Sequence, residues 1–126
     1  MAINQGNGNF IIKKLPRMTQ LSSVNAIEPI DVNGDGAEDL LMGGNLYTFL
    51  PQFERLDASF GDVLLNDGKG NFKWVTQKKT GLDVKGMVRD IVQIPGEGGP
   101  GILFLINDEY PVLYKFKNPV NTEKKP

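Results

Sequence analysis

The residues best suited to chemistry form one short stretch, Asp31-Val32-Asn33-Gly34-Asp35-Gly36-Ala37-Glu38-Asp39. Oxygen-bearing side chains stand at its first, third, fifth and ninth positions: Asp31, Asn33, Asp35 and Asp39. Gly36, in sixth place, permits a sharp turn, and the backbone carbonyl of Ala37 supplies a further oxygen. Ca²⁺ takes six to eight oxygens at about 2.3–2.6 Å, and this is the ligand spacing of calcium loops. Three carboxylates so close repel one another, and a dication offsets that repulsion. Position twelve is Met42, where an EF-hand has its bidentate Glu, and the flanks read as strands. The expectation is a calcium-binding β-hairpin loop with Ca²⁺ as a structural ion. The competing reading is a plain Asn-Gly/Asp-Gly hairpin turn, which has no need of acids at alternate positions.

Composition narrows the alternatives. The 126 residues include no His and no Cys. That excludes Cys/His zinc sites, Ser-His-Asp and Cys-His nucleophile pairs, thiol redox chemistry and disulfides. Fourteen Lys and Arg against fifteen Asp and Glu leave a net charge of −1, too balanced for a generic phosphate-backbone binder. Lys73, Lys78, Lys79 and Lys85 are scattered, so no nucleic-acid partner is expected. The run Gly101–Ile106 is far below the roughly 20 residues needed to span a bilayer as a helix. Gly96–Gly101 lacks the Lys-Ser/Thr of a phosphate loop.

Elements that could position the loop are short. Gly and Pro punctuate runs of Val, Ile, Leu and Phe, which is a strand-and-turn pattern. It predicts strands over Asn9–Leu15, Val24–Val32, Asp39–Thr48, Asp62–Asn66, Asn71–Gln77, Met87–Ile94, Gly101–Ile106 and Val112–Lys117, with at most one helical turn in Gln52–Ser59. The class is all-β. The polar tail Asn118–Pro126 reads as disordered.

The chain also repeats. Asn4-Gln5-Gly6-Asn7-Gly8-Asn9-Phe10 returns as Asn66-Asp67-Gly68-Lys69-Gly70-Asn71-Phe72, a shift of 62. The same shift carries Gly34 to Gly96, Leu41 to Leu103 and Asn45 to Asn107. It would also make Glu28 and Asp90 equivalent, a pairing that would suit acid/base chemistry if both lined a channel. The second copy of the acidic loop, Gln93–Gly101, keeps the two glycines of the turn but loses the ladder of carboxylates, so no metal is expected there. A period of this length with about four strands per unit is the size of a propeller blade. The division is two repeats at about 4–65 and 66–117, plus the tail 118–126. Two blades do not close a propeller, so the reading is a fragment, or a chain completed by strand exchange. Asn9–Leu15 is the strand expected to fill the free edge beside Val112–Lys117, within one chain or in a homodimer.

The first repeat carries an insertion, Leu46–Gly61, with Tyr47, Phe49, Phe53, Arg55, Asp57 and Phe60. It is a candidate ligand loop for a protein or glycan. Alternatively its aromatics cap the core, with Arg55 and Asp57 tying the loop together.

The acidic loop, the following Leu40-Leu41-Met42-Gly43-Gly44-Asn45, and Val63-Leu64-Leu65 leading into the Asn66–Phe72 turn together resemble the FG-GAP/VCBS repeat, which builds blades of integrin-like β-propellers. The stretch Pro51–Gly61 is similar to the C-terminal portion of large Bacteroidetes proteins of the ASPIC/UnbV (cartilage-acidic-protein-like) type. The resemblance spans about Asn4 to Lys117. It implies Ca²⁺ at Asp31, Asn33, Asp35, Ala37 and Asp39. It further implies a non-catalytic binding or adhesion module, a secreted or cell-envelope location behind a leader, and further blades as partners. The alternatives are a piece of a propeller enzyme whose active site lies in other blades, and a purely architectural blade pair.

Overall fold

The computed structural model describes residues 1–48, 55–97 and 99–117. The predicted tail, Phe49, Phe53 and the first three residues of the proposed helical turn at Gln52–Ser59 lie outside them; Arg55–Ser59 is not helical. The protein is all-β. Its nine described strands form three antiparallel sheets. Strands β1 (Ala2–Gly6) and β2 (Asn9–Ile12) make a hairpin. A four-stranded meander follows, with β3 (Val24–Ile30), β4 (Asp39–Gly44), β5 (Asp62–Asn66) and β6 (Phe72–Val75) in that order. The third sheet holds β7 (Val88–Ile94), β8 (Gly101–Ile106) and β9 (Val112–Lys115). Single helical turns at Arg17–Gln20 and Gln77–Thr80 fill connections read from sequence as loop and strand end.

The register reveals how the repeats correspond. In the first hairpin Ala2 pairs with Ile12, Ile3 with Ile11 and Asn4 with Phe10. In β5–β6 Leu64 pairs with Trp74, Leu65 with Lys73 and Asn66 with Phe72. Every one of these pairs is displaced by 62 (2 to 64, 12 to 74), so the two hairpins are one unit used twice. Both place glycines at positive φ, Gly6 and Gly8 in one and Gly68 and Gly70 in the other, as such tight turns require. Strand β1 therefore exists where the sequence reading had only a turn. A polar strand such as Ala2-Ile3-Asn4-Gln5-Gly6, exposed on both faces, carries no apolar alternation to reveal it.

A single shift does not serve the inner strands. Val24 pairs with Gly44 and Val88 with Ile106, each pair just before an irregularity in the ladder. The inner strand has moved by 64 (24 to 88) and its partner by 62 (44 to 106). The difference lies in the connecting loop, which is two residues shorter between β7 and β8 than between β3 and β4. This corrects two expectations. Gly34 and Gly96 fall in loops of different length, and Glu28 is not equivalent to Asp90. Glu28 sits opposite Leu41 and corresponds to Val92, which sits opposite Leu103. No carboxylate pair is formed: the Glu28 carboxylate accepts a 2.8 Å hydrogen bond from Gln93 Nε2 across the two sheets.

The core lies between these sheets. Ala26, Ile30, Leu41 and Val63 from one meet Val88, Ile91, Ile102 and Phe104 from the other, with Leu82 and Val84 of the connection. Side chains alternate across a strand, so Met42 and Leu64 point to the other face of the four-stranded sheet. They are just as buried, at 2% and 0% exposure. A sheet covered on both faces explains why β4 reads as a continuous apolar run. Phe104, fully buried, meets Tyr114 edge to face with ring centroids 5.8 Å apart.

Within this chain β2 pairs with β1, and the outer edge of β9 pairs with no described strand. The expected completion of the third sheet by Asn9–Leu15 of the same chain is therefore not found. Lys13, just past β2, instead donates to Asn71 Oδ1 at 3.1 Å, at the β5–β6 turn of the middle sheet.

Candidate functional site

The acidic loop joins β3 to β4 and is built by its own side chains. Asp31 Oδ1 accepts from the backbone N–H of Gly34 (2.7 Å) and Asp35 (3.2 Å), and Asp31 Oδ2 from that of Gly36 (2.9 Å). Asn33 Oδ1 accepts from Asp35 N at 3.0 Å, and Asp35 Oδ1 from Ala37 N at 2.8 Å. Asp35 Oδ2 receives Asn33 Nδ2 at 2.8 Å. The alternation seen in the sequence thus places Asp31, Asn33 and Asp35 in one hydrogen-bonded turn, closed by Gly34 and Gly36 at φ +77° and +88°. The Asp35 carboxyl is held below its ordinary range, first by the Ala37 N–H and then by the Asn33 amide.

Asp39 has a different place. It is fully buried, and its two oxygens accept from Val32 N (2.9 Å) and Asn66 N (2.7 Å). Asn66 in turn donates Nδ2 to Glu38 O at 2.9 Å. Asp39 therefore clamps the base of the acidic loop to the end of β5. A charged acceptor paired with two backbone N–H groups is how a buried carboxylate becomes tolerable.

Oxygen chemistry in the turn suits a hard cation. Asp31 Oδ2, Asn33 Oδ1 and Asp35 Oδ1 each accept one backbone N–H and retain a lone pair. Asp39 would join them only through the lone pairs left beside its two N–H bonds. Among the described residues no group of three or more acidic side chains is close enough together to hold a metal ion by itself. The Ala37 carbonyl and water would have to complete any shell.

Beside it stands the β5–β6 turn. Asp67 accepts from Asn71 Nδ2 (2.7 Å), Lys69 N (2.8 Å) and Asn71 N (3.1 Å). These bonds, the Asn71 amide foremost, pull its pKa from 3.8 to about 2. A depressed folded value means that the contribution to stability is complete above 3.8 and is lost as pH falls through about 2. We expect the Lys69 and Asn71 amide resonances to titrate with a midpoint near 2. A midpoint at the ordinary carboxylate value would show that the turn is not closed by Asp67.

The insertion occupies the other end of β4. Five residue steps of strand, about 17 Å, separate Asp39 from Gly44, so the two features cannot share one small ligand on this sheet. Leu46 and Leu56 exchange both backbone hydrogen bonds, at 2.8 and 3.1 Å, and close the base of the insertion. The Arg55 guanidinium lies 5.2 Å from the centroid of the half-buried Tyr47 ring. Arg55 thus braces Tyr47, and it forms no ion pair with Asp57 among the described residues. Phe60 remains 36% exposed and Asp57 is exposed.

Asn45 is the residue that sequence reasoning undervalued. It is 1% exposed, sits at φ +78°, and uses its whole amide. Oδ1 accepts from Ser22 Oγ (2.8 Å) and Ser59 N (3.0 Å), and Nδ2 donates to Ser59 O (2.7 Å) and Gly86 O (3.1 Å). One side chain thereby joins the entry to β3, the insertion and the entry to β7. The recurrence of Asn at 107 was the available signal, and Asn107 N bonds Met87 O just as Asn45 N bonds Ser23 O.

No family model, no curated protein and no solved structure matches this chain.

Proposed function

We propose that this chain is a non-catalytic binding module built of propeller-type blades, with Ca²⁺ as a structural ion in its first inner hairpin. The observation that carries the reading is the self-organised Asp31-Asn33-Asp35 turn, set against its counterpart between β7 and β8, which is two residues shorter and keeps a single acid, Glu97, in place of the ladder. Asp31, Asn33, Asp35 and the Ala37 carbonyl would hold the ion, with Asp39 at the base. When bound, Ca²⁺ supplies charge neutralisation to the acids of the turn. The chain's own part is to clamp the base of the loop through Asp39 while Asp31, Asn33 and Asp35 hold the turn together. The resemblance to FG-GAP/VCBS repeats supports a secreted or cell-envelope setting, with further blades and a protein or glycan as partners. The outer edge of β9, unpaired among the described residues, leaves a strand-exchanged homodimer as a further partner.

Calcium linkage gives the test. Binding to the native state alone, at a free ion about 100-fold above the dissociation constant, adds about 2.7 kcal/mol. The melting temperature should fall on chelation and recover with Ca²⁺. Asp35→Ala should abolish that response, whereas Glu97→Ala, in the shorter loop, should leave it intact. A calorimetric titration with neither heat nor thermal shift would remove the ion from the proposal.

A second reading has its own support. Arg55 braces Tyr47 within the insertion, and the Asn45 amide holds Ser59 at the end of β4, which suits an architectural blade pair. A glycan and peptide screen of the intact chain against one with the insertion replaced by Gly-Ser would separate the two.

A further inference from the structure

The chain contains Asn-Gly twice, at Asn7-Gly8 and Asn33-Gly34. The dipeptide is prone to a self-modification. The glycine nitrogen, once deprotonated, attacks the Asn side-chain carbon. A new C–N bond forms, the Cγ–Nδ2 bond breaks, and ammonia leaves with a proton from water. The resulting succinimide then takes up one water across either of its C–N bonds, giving Asp or isoaspartate. The reaction needs a free glycine amide and a mobile Asn side chain, and the absence of a glycine side chain removes steric obstruction.

Both asparagines are exposed, so solvent access does not separate them. Hydrogen bonding does. Gly34 N is held at 2.7 Å by the Asp31 carboxylate, which disfavours an anionic nitrogen at that position. The Asn33 amide is fixed at both ends by Asp35, through N at 3.0 Å and Oδ2 at 2.8 Å. At the other site, neither the Asn7 side chain nor the Gly8 amide makes a hydrogen bond among the described residues. Asn7 stands at the tip of a hairpin whose strands are exposed almost throughout, the kind of element that opens at small cost.

We propose that Asn7 is a site of spontaneous deamidation and isomerisation, and that Asp31 shields Asn33 from the same fate. Asp31 holds Gly36 N as well, at 2.9 Å, so the Asp35-Gly36 step is guarded by the same carboxylate. The protection comes from the fold of the loop and needs no bound cation. Its functional weight lies at position 33: conversion there would add a carboxylate to the acidic turn.

The test ages the intact protein at pH 7.4 and 37 °C with a chelator present, followed by peptide mapping by mass spectrometry. Asn7 should convert first and Asn33 at least about tenfold more slowly, since a reaction that needs the turn open is scaled by the open fraction. Asp31→Ala should bring Asn33 up towards the rate of Asn7 and leave Asn7 unchanged. If Asn33 in the wild-type chain converts as fast as Asn7, or if Asn7 is the slower, the proposal is overturned, whatever the variant does.

Discussion

Asn45→Leu should lower the unfolding free energy by about 4 kcal/mol or more. The substitution removes a buried amide and leaves Ser59 N, Ser59 O and Gly86 O without their partner. Each buried polar group so stranded costs about 1–3 kcal/mol. Leu at Asn45's φ of +78° adds about 1–2 kcal/mol, since the left-handed region crowds a Cβ that has no local hydrogen bond to offset it. Against a total stability of about 5–15 kcal/mol, this is a large share. Asn45→Gly separates the causes, because it tolerates the backbone angle and loses only the hydrogen bonds. Urea unfolding at unchanged slope reads both. A loss under about 1 kcal/mol for Asn45→Leu would mean that the amide is not the joint between the sheets.

Gly44→Ala is the second large effect. A Cβ at Gly44 would lie 1.7 Å from Ser23 O and 2.7 Å from Ser23 C. Both are backbone atoms, so no side chain can swing aside, and the strands must part. The Val24–Gly44 pair and the 3.2 Å bond from Asn45 N to Ser23 O go with them. Overpacking costs about 1–3 kcal/mol where side chains can adjust, and more here. Gly34→Ala is the control: nothing lies within 4 Å of its Cβ, so only the positive φ is penalised, at about 1 kcal/mol. Equal effects at the two sites would contradict the geometry. The third sheet solves the same closure the other way round. Ile106 stands where Gly44 does, and Gly86 supplies the space, since a Cβ there would come within 2.6 Å of Ile106 Cγ2.

Much of this was legible in the chain. Short apolar runs and turn residues place β5 and β8 to the residue and the other long strands to within a few positions, because buried strands are rich in Val, Ile, Leu and Phe and tight turns use Gly. The Asn4–Phe10 and Asn66–Phe72 repeat correctly announces two copies of one hairpin. The spacing of Asp31, Asn33 and Asp35 announces a single organised turn, because local hydrogen bonds depend only on nearby sequence.

What the tertiary structure decided is everything that crosses between segments. Spacing cannot say that Asp39, one more acid in the series, turns away to Val32 and Asn66, for Asn66 lies 27 positions off. A shift read from glycines cannot show that the inner strand moves by 64 while its partner moves by 62, because register is fixed by which side chains face the core. Nor does the sequence reveal that Asn45 binds three segments or that β2 folds back on β1. Those outcomes follow from packing two sheets together, where a buried polar atom must find a partner wherever the chain brings one.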